Sequence, residues 1–437
     1  MKILLYIRPN SDDFLTRLAK VIEPNCNVIK LCDFRGYGDI WCGNFLYQSD
    51  SYGIDIPKEL LEDIRLRCRF LRKQKIELAY SLIRKYSRGI RDVFEKEKPE
   101  LVLAQIPDNY CMDIIQRESL SRKITVINMV GEFIKGYSRL TLRGEYIHTR
   151  NASDEEAKNV LEFLLDKNYV ANYAKNLGES HKQHRKIMAR RKLIETFYYP
   201  IKKLIEKDKY NYHYNTMYYK GIKIKDVISD RIDNLFIELD ELELNDEYIY
   251  VPLHVYPEAT VDYYGPDPQC ALYEDYMVDV LSNSDPNIKL LVKEHPAMYG
   301  ARPSEFYYRL SQIRNVFLVN PYTNSNMILD RVKYVLTFSG SVGVEALIRR
   351  KVVYTLINNY YSDLSPNARK IERITDDLVK VEYEEYDNIV FMKALLEGLM
   401  DAQLGGQSTL SDSEIDKMGK IMRNYYYTRP VQEIYKR

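Results

Sequence analysis

The chain has 437 residues, of which 45% are hydrophobic and 29% are charged, and its formal net charge is +1. This length is too great for one ordinary hydrophobic core and suits two domains of about 200 residues each. The composition excludes a disordered or fibrous protein. The small net charge gives no overall attraction to nucleic acid, so no nucleic-acid partner is expected.

The cysteines and histidines show no metal-binding pattern. Six cysteines are scattered without a Cys-x-x-Cys pair, and six histidines have neither His-x-His nor His-Glu-x-x-His spacing. We therefore expect free thiols in a reducing cytosol and no zinc site. The opening MKILLYIRPN is too short an apolar run for a signal peptide, and no apolar run is long enough for a transmembrane helix. A cytoplasmic location is expected, and any association with a membrane would be peripheral.

The first part of the chain alternates strands with helices. Apolar runs predict strands at 2–6, 27–31, 101–105 and 124–130, and helical periodicity predicts helices within 58–95 and at 109–120. This alternation predicts a parallel sheet with helices on both faces. Residues 1–150 are therefore assigned to an N-terminal Rossmann-like domain.

Residues 151–245 differ in pattern and form a predicted helical, basic connector. Lys and Arg residues cluster between 181 and 209, and apolar residues interleave with them. A solvated helix face that links two domains is the favoured interpretation. The alternative is a basic surface that contacts a charged glycan or the anionic inner face of the plasma membrane.

The region from 246 onward again alternates strands and helices. Strands are predicted at 248–253, 289–293, 316–319, 334–338 and 352–356, with helices at 270–282, 304–312, 325–330 and 342–349 between them. The pattern predicts a second doubly wound α/β domain over 246–437, with a helical tail from 365. Two such sheets would face a cleft, and ligands in such folds bind at the carboxyl ends of the strands.

The strongest candidate site is the segment 337–346, TFSGSVGVEA, which follows a predicted strand and opens a helix. Small residues allow close approach of a ligand, and backbone N–H groups with the hydroxyls of Ser339 and Ser341 suit a phosphate. Gly340 and Gly343 belong to the same turn. Glu345 lies one turn into the helix, where it could accept hydrogen bonds from a sugar hydroxyl. An ordinary capped helix start is the competing interpretation.

A second candidate is LLVKEHP at 290–296, a buried strand that ends in charged and titratable residues. Burial of charged groups costs free energy unless they interact with a partner or a ligand. Lys293 would supply positive charge, and His295 would meet a phosphate as an imidazolium or as a neutral N–H donor. Pro296 fixes the turn.

Three further segments contribute candidates. VPLHVYPEA at 251–259 offers His254 and Glu258 to substrate hydroxyls, with a proline-shaped turn as an equal alternative. NPYTNS at 320–325 offers Asn324 and Ser325 for contact with a nucleobase, although a helix cap is the safer interpretation. VGEFIKG at 130–136 places Glu132 after a strand, where a catalytic carboxylate is expected.

These motifs together resemble the capsule polysaccharide synthesis family, which includes retaining Kdo transferases of bacterial capsules. The resemblance is carried by VKEHPAMYGARP, NPYTNS, TFSGSVGVEAL and KVVYTL, and it covers roughly residues 248–360. VPLHVYPEAT is similar to the strand that opens the nucleotide-binding domain of the family, and GEFIKGYSRLTLRGEY at 131–146 resembles its acidic-glycine segment more weakly. Where the family pairs Glu with Asp, this chain has Phe133 after Glu132.

The resemblance implies a GT-B-like fold and a metal-independent glycosyltransferase. Its donor would be a nucleotide sugar, with a CMP-linked, Kdo-like sugar expected, and its acceptor a glycan or glycolipid of the capsule or another surface polysaccharide. By resemblance His295 and Pro296 hold the donor phosphate, the residues of the 339–341 turn close round it, and Glu345 reaches the ribose. No cofactor or metal is implied.

Two alternatives to a transferase remain open from the residues alone. A nucleotide-sugar 2-epimerase uses the same two-sheet architecture and would act without an acceptor. A catalytically inactive nucleotide-binding protein of polysaccharide assembly is favoured by the absence of Asp after Glu132.

Overall fold

The structure is a computed structural model, and it describes residues 1–166, 169, 181–205, 207–214, 232–243, 248–299, 301–404 and 410–428. The chain forms two compact units. The first unit contains Met1–Asn151, Tyr199–Thr216 and Glu397–Arg437, and the second contains Ala152–Tyr198 and Met217–Leu396.

The helices and strands of the described residues follow in chain order. The strands are β1 Lys2–Ile7, β2 Asn27–Cys32, β3 Ile40–Trp41, β4 Leu101–Gln105, β5 Thr125–Gly131, β6 Ser138–Leu140, β7 Tyr248–Pro252, β8 Lys289–Lys293, β9 Val316–Val319, β10 Tyr334–Thr337, β11 Val352–Thr355, β12 Ala368–Lys370 and β13 Leu399–Met400. The α-helices are α1 Asp12–Ile22, α2 Lys58–Arg67, α3 Ile76–Glu97, α4 Tyr110–Ser121, α5 Asp154–Leu165, α6 His181–Ile205, α7 Ala259–Tyr264, α8 Tyr273–Ser282, α9 Ser304–Ser311, α10 Ser325–Leu329, α11 Val342–Ile348, α12 Asn388–Glu397 and α13 Asp412–Thr428.

The first unit is built on a sheet with the strand order β13-β6-β5-β4-β1-β2-β3. Strands β1 to β5 are parallel, and β6, near one edge, pairs antiparallel with both β5 and the edge strand β13. The central strand β1 sends Leu4 and Tyr6 into one core and Ile3, Leu5 and Ile7 into the other. Its apolar run is continuous because both faces of a covered parallel sheet are buried.

The end of the C-terminal tail, from Glu397 onward, belongs to the first unit, whereas the predicted domain over 246–437 assigns it to the second. Helix α13 buries Ile415 and Met418 in the same core as Phe14 of α1. The two helices lie so close that a Cβ on Gly419 would come within 2.4 Å of Val21 Cγ1. Helices α12 and α13 lie in the predicted helical tail, which also contains the short strands β12 and β13. Strands this short lack the apolar run that marks a strand in the sequence.

The second unit is built on a fully parallel sheet with the order β12-β11-β10-β7-β8-β9. The chain builds outward from β7 through β8 to β9, then returns to the other side of β7 and continues through β10 to β12. This is the Rossmann order, and its switch point lies between β7 and β10. In such sheets the crevice at the switch point, beyond the carboxyl ends of the strands, is where ligands bind.

Most of the predicted elements are confirmed. Each of the nine predicted strands is observed within one residue of its predicted bounds, and the helical region 58–95 divides into α2 and α3. Helices α5 and α6 confirm the helical character of the connector where it is described. Its residues 167–168, 170–180, 206, 215–231 and 244–245 lie outside the described residues. Within the described part of the chain, none of the helices is both long and apolar enough to cross a membrane.

Candidate active site in the second unit

The residues that follow three neighbouring strands of the second sheet meet at its switch point. Strands β10, β7 and β8 lie side by side, and His254, His295 and Ser339 come directly after β7, β8 and β10. Pairing of β7 with β8 continues past the strand end, because Leu253 N donates to Lys293 O at 2.8 Å. The sequence placed these side chains after strands, and the parallel topology brings them together at the carboxyl ends of those strands.

His254, which follows β7, contacts a residue of the turn after β10 and a residue of its own loop. Its Nε2 lies 3.2 Å from Ser339 Oγ, and its Nδ1 lies 3.4 Å from Glu258 Oε2. Burial opposes ionisation of Glu258, but the hydrogen bond and charge of His254 hold the pKa of this carboxyl below its usual value. With Glu258 ionised, Nδ1 carries a proton and donates to it, so Nε2 accepts from the hydroxyl of Ser339 when the ring is neutral.

The backbone of His254 is fixed from two directions. Its N–H donates to Tyr273 Oη at 2.9 Å, and its carbonyl accepts from Arg302 Nη2 at 2.8 Å. Arg302 is itself fully buried in an ion pair with Glu294, in which Nε lies 2.7 Å from Oε2. Tyr307 donates to the same Glu294 oxygen at 2.8 Å. Because each of these charges has a partner, their burial is explained by a structural role in supporting the loop.

His295 is a neutral imidazole in this structure. Its Nδ1 accepts a hydrogen bond from Ala297 N at 3.2 Å, which stabilises the turn begun by Pro296. Burial, with Lys293 nearby, lowers the pKa of His295 to about 3. The ring therefore carries its proton on Nε2, and of the two predicted forms the N–H donor is the one present near pH 7.

Lys293 and Glu345 are buried charges without hydrogen-bonded partners among the described residues. Lys293 is 5% exposed and Glu345 is 7% exposed. Burial lowers the pKa of Lys293 to about 8, although Glu294 and Glu345 oppose this shift. Burial raises the pKa of Glu345 to about 7, against the charges of Arg349 and Lys293. Charged groups placed in this way are typical of functional sites, where a ligand completes their interactions.

The turn between β10 and α11 depends on its glycines. Gly340 N donates to Thr337 Oγ1 at 3.1 Å, and Gly340 O accepts from Tyr361 Oη at 3.0 Å. A Cβ on Gly343 would lie 2.2 Å from the same Tyr361 oxygen. Ser341 makes no capping hydrogen bond with its side chain, so the predicted serine cap is not formed at this helix. The turn is shaped by Tyr361, which the sequence motifs did not single out.

Asn324 and Ser325 have structural contacts at the edge of the sheet. The side chain of Asn324 accepts from Asn326 N at 2.9 Å and caps α10. Ser325 Oγ lies 3.3 Å from Tyr250 Oη. Asn324 therefore acts as the helix cap that the sequence predicted. Contact of Asn324 or Ser325 with a nucleotide-sugar donor stays a prediction.

Glu132 lies in the first unit at the end of β5, where its carboxylate is paired. Arg139 Nε lies 2.9 Å from its Oε2, and Phe133 N donates to its Oε1 at 3.0 Å. The two side chains are each 7% exposed, so the ion pair accounts for their burial. A catalytic role for Glu132 stays a prediction and would require this pair to open.

Sequence reasoning missed a polar cluster at the switch point of the first sheet, between β1 and β4. Arg8 pairs with Asp108 at 2.6 Å, and His213 Nε2 lies 3.7 Å from Asp33 Oδ2. Burial raises the pKa of Asp33, while His213 opposes the shift. Arg8, Asp33 and Asp108 each follow a strand, which is the signal that could have found them. His213 comes from the predicted connector, where no pattern marks it.

The fold and the site define a class of protein, an α/β chain with two Rossmann-like units. At its switch point the second unit presents buried charges, an imidazole N–H and hydroxyls. Residues 156–365 match the model of the family described as Capsule polysaccharide biosynthesis protein. This match lies within the second unit apart from Tyr199–Thr216. It confirms the resemblance to the capsule polysaccharide synthesis family that the motifs indicated.

Several solved structures are similar to this chain at low identity. The KpsC β-Kdo 2,7 transferase of Thermosulfurimonas dismutans is 12% identical, with 97% of this chain and 100% of that chain covered and a TM-score of 0.39. The UDP-N-acetylglucosamine 2-epimerase of Rickettsia bellii is 13% identical, with 98% and 97% covered and a TM-score of 0.31. Such low values assign neither activity nor substrate to this chain. No curated protein matches it significantly.

Proposed function

We propose that the second unit binds the phosphate of a nucleotide-activated sugar at its switch point, and that the protein is a glycosyltransferase of capsule or other surface polysaccharide synthesis. The observation that carries this proposal is the pair of buried charges, Lys293 and Glu345, that lack hydrogen-bonded partners among the described residues. A phosphate would satisfy Lys293, and a ribose or sugar hydroxyl would satisfy Glu345. The family match over residues 156–365 supports the same role.

The groups around Lys293 are suited to an anion. Nε2–H of His295 and the hydroxyls of Ser339 and Ser341 can donate hydrogen bonds, and the cation of Lys293 is poorly screened because it is buried. The hydroxyl of Ser339, which lies 3.2 Å from His254 Nε2, would turn from the ring to the phosphate.

The proposed transfer breaks the bond between the anomeric carbon and a phosphate oxygen, and the electron pair leaves with the phosphate. Lys293 and His295 stabilise this developing charge. A hydroxyl of a glycan or glycolipid acceptor forms the new bond and passes its proton to a carboxylate. Glu132 is our candidate, either as this base or as the nucleophile of a covalent glycosyl intermediate. We propose a cytidine nucleotide as the donor and a metal-independent reaction.

A nucleotide screen tests the binding step. CMP should raise the melting temperature of the wild type, and His295→Ala should abolish that shift because it removes the Nε2–H donor. His148→Ala is the matched control, since His148 is an exposed histidine of the first unit. An unchanged CMP shift in His295→Ala would contradict the proposed site, and a shift with UDP but not CMP would contradict the cytidine donor.

The transfer step is tested separately with a nucleotide sugar and an acceptor glycan. The expected product is the extended glycan together with the released nucleotide, detected by mass spectrometry. Conversion of the nucleotide sugar to an epimer without acceptor would identify an epimerase instead. Binding with no turnover of any donor would identify an inactive nucleotide-binding protein.

A further inference from the structure

Asn359, in the loop after β11, carries a buried amide nitrogen without a hydrogen-bond partner. The residue is 6% exposed, and its Nδ2 atom is shielded from solvent with no acceptor among the residues that the structure describes. Buried donors are nearly always paired in native proteins, because leaving one unpaired costs free energy. An unpaired amide in such a place therefore requires an explanation.

The orientation of this amide is set by the turn that contains it. Asn359 Oδ1 accepts a hydrogen bond from Tyr361 N at 3.3 Å. Asn359 N donates to Ser362 Oγ at 3.1 Å, and Asn359 O accepts from Ser362 N at 3.0 Å. A backbone N–H can only donate, so the side-chain atom that faces Tyr361 N is the oxygen, and the unpaired atom is the nitrogen of the NH2 group. The unpaired side of Asn359 therefore offers donors only.

The turn at 359–362 packs against the glycine turn of the candidate site. Strands β10 and β11 are parallel neighbours, and their pairing continues past the carboxyl ends, since Leu356 N donates to Thr337 O at 3.1 Å. Tyr361 Oη then donates to Gly340 O at 3.0 Å. The unpaired amide therefore lies at the same end of the sheet as the turn that we propose for the phosphate.

A second unpaired donor lies at this strand end. Thr355 is the last residue of β11 and is fully buried, and its hydroxyl has no hydrogen-bond partner in the described part of the chain. It lies in register with Thr337, whose own hydroxyl accepts from Gly340 N at 3.1 Å. Two unpaired polar groups beside one turn indicate a site whose hydrogen bonds a ligand completes.

We infer that Asn359 is a further phosphate-binding residue of the donor site, and that its Nδ2 donates a hydrogen bond to a phosphate oxygen of the bound nucleotide. An ionised phosphate oxygen accepts hydrogen bonds and cannot donate them, which matches a group that only donates. The inference rests on the proposed function, since it takes the nucleotide phosphate as the ligand. It adds to that site a residue that none of the sequence motifs marked.

The test compares the affinities of the wild type and Asn359→Asp for CMP by isothermal titration calorimetry. Aspartate keeps an oxygen that accepts from Tyr361 N and replaces the NH2 group with a second carboxylate oxygen. CMP binding should weaken about 30-fold or more, because an anion then faces the phosphate. Cytidine has no phosphate, so its affinity, measured by saturation-transfer NMR, should stay within about twofold. Equal weakening of CMP and cytidine would show a distorted site and overturn the inference.

Asn359→Ala is the second variant, and Asn367→Ala is its matched control. Asn367 is a buried asparagine of the same unit with a paired amide, because Nδ2 donates to Glu384 O at 2.8 Å and Oδ1 accepts from Glu384 N at 2.9 Å. Asn359→Ala should lower the CMP affinity about tenfold and melt closer to the wild type than Asn367→Ala does. Asn367→Ala should melt lower and keep the CMP affinity. The reverse result for Asn359→Ala would assign its amide to a buried water and overturn the inference.

Failure of the inference and failure of the proposed function give different results. A wild type that binds CMP, with the same affinity in both Asn359 variants, overturns the inference alone. A wild type that binds none of CMP, UMP and GMP overturns the proposed function and this inference with it. If the wild type binds UMP instead of CMP, the same comparison with UMP and uridine decides the role of Asn359.

Discussion

Replacing Lys293 with methionine should stabilise the protein while it removes nucleotide binding. Methionine has a similar length and no charge, so it fills the same space at the end of β8 without the cost of a buried ammonium. An ordinary core residue would show the opposite behaviour, because most substitutions of buried residues destabilise. Opposite effects on stability and binding are what a residue held for function is expected to show.

The magnitude follows from the pKa of Lys293, which burial lowers from 10.5 to about 8. At about 1.36 kcal/mol per pKa unit, the charged form costs about 3 kcal/mol in the folded state. The substitution also removes the attraction to Glu345, so we expect a gain of about 1–3 kcal/mol. For a unit of this size that free-energy gain corresponds to an increase of about 2–12 °C in melting temperature.

The pH dependence gives the sign of this effect. The folded-state pKa of Lys293 is depressed, so the penalty is fully present below pH 8 and is relieved as the pH rises toward 10.5. The difference between Lys293→Met and the wild type should therefore be largest near pH 7 and shrink by pH 10. Scanning fluorimetry at both pH values, with and without CMP, measures the stability and binding effects together.

The control is Lys85→Met, which removes a buried lysine that is paired. Lys85 Nζ lies 2.8 Å from Asp50 Oδ1, so its loss should leave the melting temperature unchanged or lower and should keep the CMP shift. A lower melting temperature for Lys293→Met, or a retained CMP shift, would refute the reasoning. The first result would mean that Lys293 makes a stabilising contact, and the second that its charge does not serve the phosphate.

Two further predictions concern the same site. Burial raises the pKa of Glu345 from 4.5 to about 7, so the free-energy cost of its ionised form grows as the pH rises from 4.5 and is complete above pH 7. Glu345→Gln should therefore raise the melting temperature at pH 8 but hardly at pH 5, as measured by scanning fluorimetry. Gly343→Ala should destabilise by about 1–3 kcal/mol in urea unfolding and abolish the CMP shift, because the added Cβ displaces Tyr361. Tyr361→Phe, which loses the hydrogen bond to Gly340 O without adding a Cβ, should cost about 1 kcal/mol. An equal loss of stability in both variants would show that crowding is not the cause.

The path of the C-terminal tail could not be predicted from local pattern. Helix α13 has an amphipathic pattern, but this pattern does not indicate which hydrophobic core buries the apolar face. The tertiary structure pairs it with α1, where Gly419 permits the close approach of Val21. For the same reason the polar cluster of Asp33 and His213 was not foreseen, since its members lie far apart in the chain.

The sequence by itself determined the nine longer strands, their alternation with helices and the positions of His254, His295 and Ser339 after strand ends. Apolar periodicity and turn residues are local signals, so they can be read without the fold. Only the tertiary structure decided which strands are neighbours and so which of these side chains meet. It also decided the protonation of His295 and the cost of Lys293. Those depend on burial and on charges brought close by the fold, and no local pattern in the chain encodes them.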